Sequence, residues 1–418
     1  MFLGLFISAW VARYLGPENF GLLNYAAAIV SLVTPFADMG LQSIVVRDLS
    51  QKKLNSGSIL GSALVVMSFG TLLSLISIGV YLIYGTVEDS LLRNLILIFG
   101  SAVLFRLSEI FKYWFESQIE SKYVIWIQST VFLCISLIKV YLILNAYPIE
   151  AFAMMFLLDS FFCFLGLIFI YQKREMALLS WSVNWRYARE LILESWPLVL
   201  SGMVLMVQAR IDQIMLGEMI SKSEVGYYSV SLAIIEGLAF VPMILMSSLA
   251  PSIAKVKKIS EEIYQTRLRQ YYNMNFLLFL CIAIPLALLS EFIVKVLFGN
   301  SFIPAGSILT LMTLRLFFAN MGVARHLFIV NNKLIKYSFF TMLAGVFVNI
   351  LMNYLLIPSL KSHGALIASY LSFFTTIFLI DFFYKETSMN CRLMLSSMNL
   401  FKVNFRELKS VIFSGKDS

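Results

Sequence analysis

The run ILGSALVVMSFGTLLSLISIGVYLIY, Ile59 to Tyr84, contains no charged residue. About 20 apolar residues in a helix cross the roughly 30 Å of hydrocarbon in a bilayer, so this stretch alone is long enough to span one. Ten more runs have the same character. They extend from Leu22 to Val46, Leu95 to Phe115, Tyr123 to Ala146, Ala151 to Tyr171 and Leu191 to Leu216, then from Val225 to Leu249, Phe276 to Phe298, Ile303 to Val330, Tyr337 to Leu356 and Ala365 to Tyr384. Met1 to Tyr14 is apolar but short, and it lacks the basic start and small-residue cleavage site of a signal peptide. It is read as the outer half of a first span whose inner part is missing. The fold expected is therefore an all-α polytopic membrane protein with about 12 transmembrane helices.

The composition of the whole chain agrees. Of 418 residues, 60% are hydrophobic and 13% charged, with a mean hydropathy of +0.84. A soluble domain with this composition would expose too much apolar surface, so the solvent must be lipid. The net charge of +8 does not indicate nucleic acid, because the basic residues sit in short connections between apolar runs. Cys134, Cys163, Cys281 and Cys391 are far apart and form no Cys-x-x-Cys, and neither His326 nor His363 has a second ligand at metal-binding spacing. No metal site or cofactor is expected. No nucleotide-binding fingerprint or Ser/His/Asp set appears, and no connection is long enough to fold as a catalytic domain.

Lys and Arg concentrate on the cytoplasmic side of membrane proteins, which tests the alternation of loops. With the N-terminus inside, the inner segments hold 22 basic residues and the outer ones 5. Both termini are expected to be cytoplasmic.

Transporters are often internally duplicated. Leu15-Gly16-Pro17-Glu18-Asn19-Phe20-Gly21, followed by Tyr25 and Pro35, is echoed by Leu216-Gly217, Glu224-Val225-Gly226-Tyr227-Tyr228 and Pro242. The two stretches precede or open the second and eighth spans, which cross in the same direction, so the repeat is parallel. The chain divides into an N-terminal lobe (1–171), a cytoplasmic linker (172–190), a C-terminal lobe (191–385) and a cytoplasmic tail (386–418). In the linker, Trp181, Trp185 and Tyr187 alternate with Arg186 and Arg189, a pattern suited to an amphipathic segment at the membrane interface.

Ionisable residues inside spans cost roughly 2.5 to 3.5 kcal/mol each on insertion scales, so each needs a partner, a wet cavity or a route to the interface. The candidates are Arg106, Lys139, Arg210, Arg315, Arg325, Asp38, Glu109, Asp159, Asp212, Glu236 and Asp381. Arg106 and Glu109 are three apart, so a local ion pair and a substrate contact stand equal. Arg325 and Asp381 lie near cytoplasmic ends and can snorkel. Lys139, Arg210 and Arg315 are deep, and a cavity-facing role is favoured over pairing between helices. Arg210 has no acid three or four residues away, and Asp212 points to a different face, so Arg210 is expected to line the cavity and to matter more than Arg106. Asp159 and Glu236, with Asp212 and Asp38, are candidate ion-coupling or pairing acids, and the sequence does not choose between these roles. Pro35, Pro197, Pro242 and Pro285 are candidate bends.

The stretch Ala12-Arg13-Tyr14-Leu15-Gly16-Pro17-Glu18-Asn19-Phe20-Gly21-Leu22-Leu23-Asn24-Tyr25-Ala26, with Asp38-Met39-Gly40-Leu41 and Val45-Val46-Arg47-Asp48-Leu49, resembles the N-terminus of the Wzx-type O-antigen flippases. Arg210-Ile211-Asp212-Gln213-Ile214-Met215-Leu216-Gly217, with Glu224-Val225-Gly226-Tyr227-Tyr228 and Pro251, is similar to the start of that family's second half. The family lies within the multidrug/oligosaccharidyl-lipid/polysaccharide exporter superfamily. The resemblance implies two six-helix lobes in a V around a central cavity. It also implies an undecaprenyl-pyrophosphate-linked oligosaccharide, an O-antigen or capsule repeat unit, as cargo across a bacterial inner membrane. A polysaccharide polymerase and a chain-length regulator would be partners. Substrate-binding cations would then be Arg210, Arg315, Lys139 and Arg106, since a guanidinium fork binds two oxygens of a pyrophosphate. The alternatives are a multidrug or cation antiporter of the same superfamily, which would favour an acidic cavity, and a membrane-embedded polysaccharide polymerase, which would need a larger outer loop.

Overall fold

A computed structural model describes residues 2–85, 89–174, 181–257 and 259–398. In lipid every backbone polar group must be satisfied within the chain, and these residues answer with helices alone. In the first half these are α1 (Phe2–Ser31), α2 (Thr34–Asp38), α3 (Gln42–Ser50), α4 (Ser56–Tyr84), α5 (Ser90–Ala102), α6 (Glu109–Ser117), α7 (Lys122–Leu144) and α8 (Ile149–Arg174). A 3₁₀ segment, Val103–Ser108, joins α5 to α6. The second half comprises α9 (Trp185–Met219), α10 (Lys222–Glu236), α11 (Phe240–Lys257), α12 (Glu261–Leu288), α13 (Ser290–Phe298), α14 (Pro304–Met312), α15 (Leu314–Asn331), α16 (Ile335–Phe374), α17 (Ile380–Phe383) and α18 (Lys385–Ser397).

Among the described residues nine helices are long and apolar enough to cross a membrane, or ten if the bent pair formed by α1 with α2 and α3 counts as one span. The sequence separates twelve. The difference lies in two places. α1 contains Gly16 in an extended left-hand conformation (φ 74°, ψ 172°), with Pro17 after it, where a helix start tolerates the missing N–H. α16 is continuous to the eye, yet Lys361 leaves the helical region (φ 51°, ψ −132°) three residues after Pro358. Each break falls between two runs that the sequence separates.

Contacts group the chain into two compact units, Leu22–Ile214 and Met1–Gly21 with Met215–Ser418; they are called here the N unit and the C unit. Their limits differ from those of the expected lobes. The seam falls at Ile214, inside α9, instead of within 172–190, and the first 21 residues join the C unit. Of the expected linker and tail, 175–180 and 399–418 lie outside the described residues.

The physical reasons are local. The middle of α1 meets the start of α10 at two glycines. A Cβ on Gly21 would run into the carbonyl oxygen of Lys222, and a Cβ on Gly226 into that of Pro17. Each obstacle lies four residues before the other glycine, one helical turn, so the crossing is reciprocal. Phe20 packs edge-on against Phe302 at 6.2 Å. The first turns of α9 are tied to the N unit instead. Arg47 bonds both oxygens of Glu194 at 2.6 and 3.1 Å and reaches Asp48 at 2.9 Å. The Tyr187 hydroxyl donates to the buried Asp48 at 2.8 Å. Tyr187 is therefore buried, contrary to the interfacial reading of the linker, and Trp181 donates to the Tyr171 hydroxyl at 3.0 Å. Trp185 is exposed, as that reading requires.

The apolar core of the N unit gathers Leu41, Ile44, Val45, Leu60, Val66, Ile110 and Phe115, and that of the C unit Leu268, Tyr271, Tyr272, Met321, Ala324 and Ile377. The two halves break at matching places. Leu32 and Val33 interrupt the second span just before Pro35, and Gly237 to Ala239 interrupt the eighth before Pro242. Arg106 sits in the 3₁₀ segment between α5 and α6, and Arg315 two residues past the break at Thr313 between α14 and α15.

Candidate functional site

A cavity of about 830 Å³ opens within the N unit, walled by α2, α3, the Arg106 segment, α6 and α9. Five charged residues line it: Asp38, Arg106, Glu109, Glu116 and Arg210. A 3₁₀ stretch in the middle of a helix often marks a hinge or local strain, and here it presents Arg106 to the cavity. Gly40, in the left-handed region (φ 59°), lets the chain turn from α2 into α3 against Leu198 of α9, where a Cβ would have no room.

Arg106 takes Asp38 as its partner, Nε to Oδ1 at 2.7 Å and Nη2 to Oδ2 at 2.5 Å, a fork that satisfies both carboxylate oxygens. A local pair of Arg106 with Glu109, one of the two readings their spacing left open, is not formed. Glu109 instead accepts from Lys112, one turn further along α6, at 2.6 Å. Two of the three lining carboxylates are thus answered by cations. Glu116 is answered by an amide: Gln42 Nε2 lies 3.2 and 3.1 Å from its two oxygens. Arg210 donates from Nη1 to Gln213 at 3.4 Å, one turn along α9, while Asp212 is buried.

The remaining candidates lie elsewhere. Lys139 on α7 and Asp159 on α8 interact electrostatically with each other and neither lines the cavity. Arg315 belongs to the C unit, with Nη1 at 3.5 Å from the Tyr228 hydroxyl and its guanidinium 5.5 Å from the centre of the Phe373 ring. Glu236 is exposed at the end of α10, where the eighth span breaks. Arg325 and Asp381 do not snorkel. They form a buried bidentate pair at 2.7 and 2.8 Å, and Tyr337 donates to the same carboxylate at 2.8 Å. Buried charges persist when paired and hydrogen-bonded in this way.

Sequence reasoning passed over Glu116, Gln42 and Tyr113 as site residues. Glu116 falls one position beyond the apolar run ending at Phe115, and Gln42 is a neutral residue in the second span, which a search for intramembrane charge does not register. Among the described residues no group of three or more His, Cys, Asp or Glu side chains could hold a metal ion.

The sequence profile of the polysaccharide biosynthesis protein family matches residues 10–307. Among solved structures the fold is similar to that of the lipid II flippase MurJ in an inward closed conformation, with a TM-score of 0.72 at 16% identity over 99% of this chain and 94% of that one. It is similar to an inward-facing multidrug resistance MATE family transporter of the MOP superfamily, with a TM-score of 0.72 at 13% identity over 98% of this chain and 94% of the other. A MOP superfamily transporter from Pyrococcus furiosus matches with a TM-score of 0.60 at 12% identity over 98% and 92% of the two chains. None of the curated proteins matches the sequence. The family profile bears out the likeness to polysaccharide biosynthesis proteins carried by the two motif stretches, and the solved structures share the fold.

Proposed function

The chain belongs to the polysaccharide biosynthesis protein family, and from that premise we propose that it is a flippase, not an enzyme, for an undecaprenyl-pyrophosphate-linked oligosaccharide. The cargo is the repeat unit of an O-antigen or capsule, moved from the cytoplasmic to the periplasmic leaflet of a bacterial inner membrane. The observation that carries this reading is the cavity of about 830 Å³ holding Arg106 and Arg210 inside a membrane-spanning unit. It is large enough for a polar headgroup, and its guanidiniums suit pyrophosphate, while the polyprenyl tail stays in lipid. Twelve crossings, counting turns at Gly16 and Lys361, form two lobes that alternate in access to the two sides of the membrane. Arg315 and Lys139 are proposed as further cations for the cargo or its coupling, and Asp159, Glu236, Asp212 and Asp38 as coupling or pairing acids.

One observation favours the antiporter reading. The cavity is lined by three carboxylates and two guanidiniums, and an acidic wall suits an organic cation. Deleting the gene in its own host separates the two. The flippase reading expects surface polysaccharide to be lost while its undecaprenyl-linked unit accumulates inside. Normal surface polysaccharide with raised sensitivity to cationic drugs would establish the antiporter instead.

A further inference from the structure

Resting on the flippase reading of this same cavity, we infer that Glu116 and Gln42 form a saccharide-recognition end that admits neutral or amino sugars and excludes acidic ones. The cavity has two chemically distinct ends. Asp38 neutralises Arg106, and Lys112 neutralises Glu109, by the ion pairs at 2.5 and 2.6 Å. The ends carry side chains of opposite charge, Arg210 on α9 and Glu116 on α6. Gly40, two residues before Gln42, abuts Leu198. Leu198 and Arg210 both line the cavity and are separated by twelve positions of α9, roughly 18 Å at 1.5 Å per residue. Glu116 and Gln42 therefore mark one end, and Arg210 marks the other.

The cargo is itself polar in the same sense, with two phosphates next to the lipid and sugars beyond them. The phosphates match the arginine end. The sugars then meet a carboxylate whose hydrogen-bond partner is a side-chain amide, with no ion pair to Glu116 among the described residues. A carboxylate accepts two hydrogen bonds from neighbouring sugar hydroxyls, or a charge-assisted bond from an amino group, and Gln42 can donate to a ring or hydroxyl oxygen. A uronate or other acidic sugar placed there would set like charges side by side in a medium of low effective dielectric, and one such pair costs more than a tenfold change in affinity.

The test uses the full chain in lipid nanodiscs and two probes, undecaprenyl-pyrophosphoryl disaccharides that differ only in whether the outer sugar is an N-acetylhexosamine or a hexuronate. Wild type is expected to bind the hexuronate probe at least about tenfold more weakly. Glu116→Gln is expected to bring the two affinities within about twofold, and Glu116→Asp to preserve the discrimination, which separates loss of charge from misfolding. Equal binding of both probes by wild type, or discrimination unchanged in Glu116→Gln, would overturn the inference while leaving the flippase reading intact. Binding of neither probe would overturn both.

Discussion

The guanidinium of Arg106 holds both oxygens of Asp38, so on the proposed flippase reading the cargo's phosphate would compete with a carboxylate for the same fork. The two side chains are 38% and 30% exposed, and an ion pair this open to solvent contributes about 1 kcal/mol or less to stability. Removing Arg106 should therefore leave the protein inserted and folded. In a deletion strain complemented with variants, Arg106→Ala is expected to reduce surface polysaccharide at least about tenfold at equal membrane protein. Arg106→Lys should retain part of the activity, since the charge survives without the fork. Arg210→Ala and Arg210→Lys should follow the same order. Near-normal polysaccharide from either alanine variant at equal protein would remove that arginine from the site. The importance of intramembrane charge was legible in the sequence, but the pairing was not. Spacing of three residues offered Arg106 its own Glu109, and nothing in the local pattern shows that the second span delivers Asp38 from 68 positions away or that Lys112 claims Glu109 first. Local rules hold only until a better-placed partner arrives from another helix.

Gly21 and Gly226 were visible in the sequence as matching points of a repeat, yet their meeting in space was not. In the fold each glycine lets the partner helix approach until its carbonyl occupies the volume a Cβ would need. Close crossings of this kind replace hydrophobic driving force with backbone packing, as small residues do wherever lipid is the solvent. The obstacle on either side is backbone, which cannot swing away as a side chain would. Gly226→Ala is therefore expected to cost about 1 to 3 kcal/mol, the range for overpacking, and to lower the melting temperature of the purified protein by several degrees. Gly79→Ala supplies the control, because nothing lies within 4 Å of where its Cβ would sit, and alanine favours the helix there. Equal melting of the two variants would show that the crossing tolerates separation. Most of the apolar runs were read close to the limits of their helices because a span must be helical and about 20 residues long, but the run from Phe276 to Phe298 joins the end of α12 to α13, and α12 itself begins at Glu261. The breaks within them were harder. Pro35 and Pro242 announced two, whereas the 3₁₀ segment at Val103–Ser108 and the π-helical turn Thr375–Leu379 contain neither Pro nor Gly.

At the scale of the whole molecule the open count of crossings and the placement of charge constrain each other. Suppose that α1 to α3 form one crossing and Ile335–Phe383 another, giving the ten spans that length and hydropathy alone allow. Lys52 and Lys53, after α3, and Lys333, before α16, belong inside by charge. A single crossing from 335 to 383 would then deliver Lys385, Arg392, Lys402, Arg406, Lys409 and Lys416 to the outer side, reversing the bias where it is strongest. A helix of 49 residues would also extend roughly 73 Å, more than twice the hydrocarbon thickness. A turn at Lys361, where the backbone is non-helical, would return the tail to the cytoplasm and resolve both difficulties. A turn at Gly16 would do the same for the N-terminus. A phosphatase fused after Ser418 is therefore expected to be inactive, because this reporter works only outside the cytoplasm. The same enzyme inserted between Gly85 and Ser90 should be active, since charge assigns that connection to the outer side whether the crossings number ten or twelve. Activity at Ser418 equal to that at the insertion would establish a single long final crossing, and with it the parallel repeat of two six-helix lobes would fall.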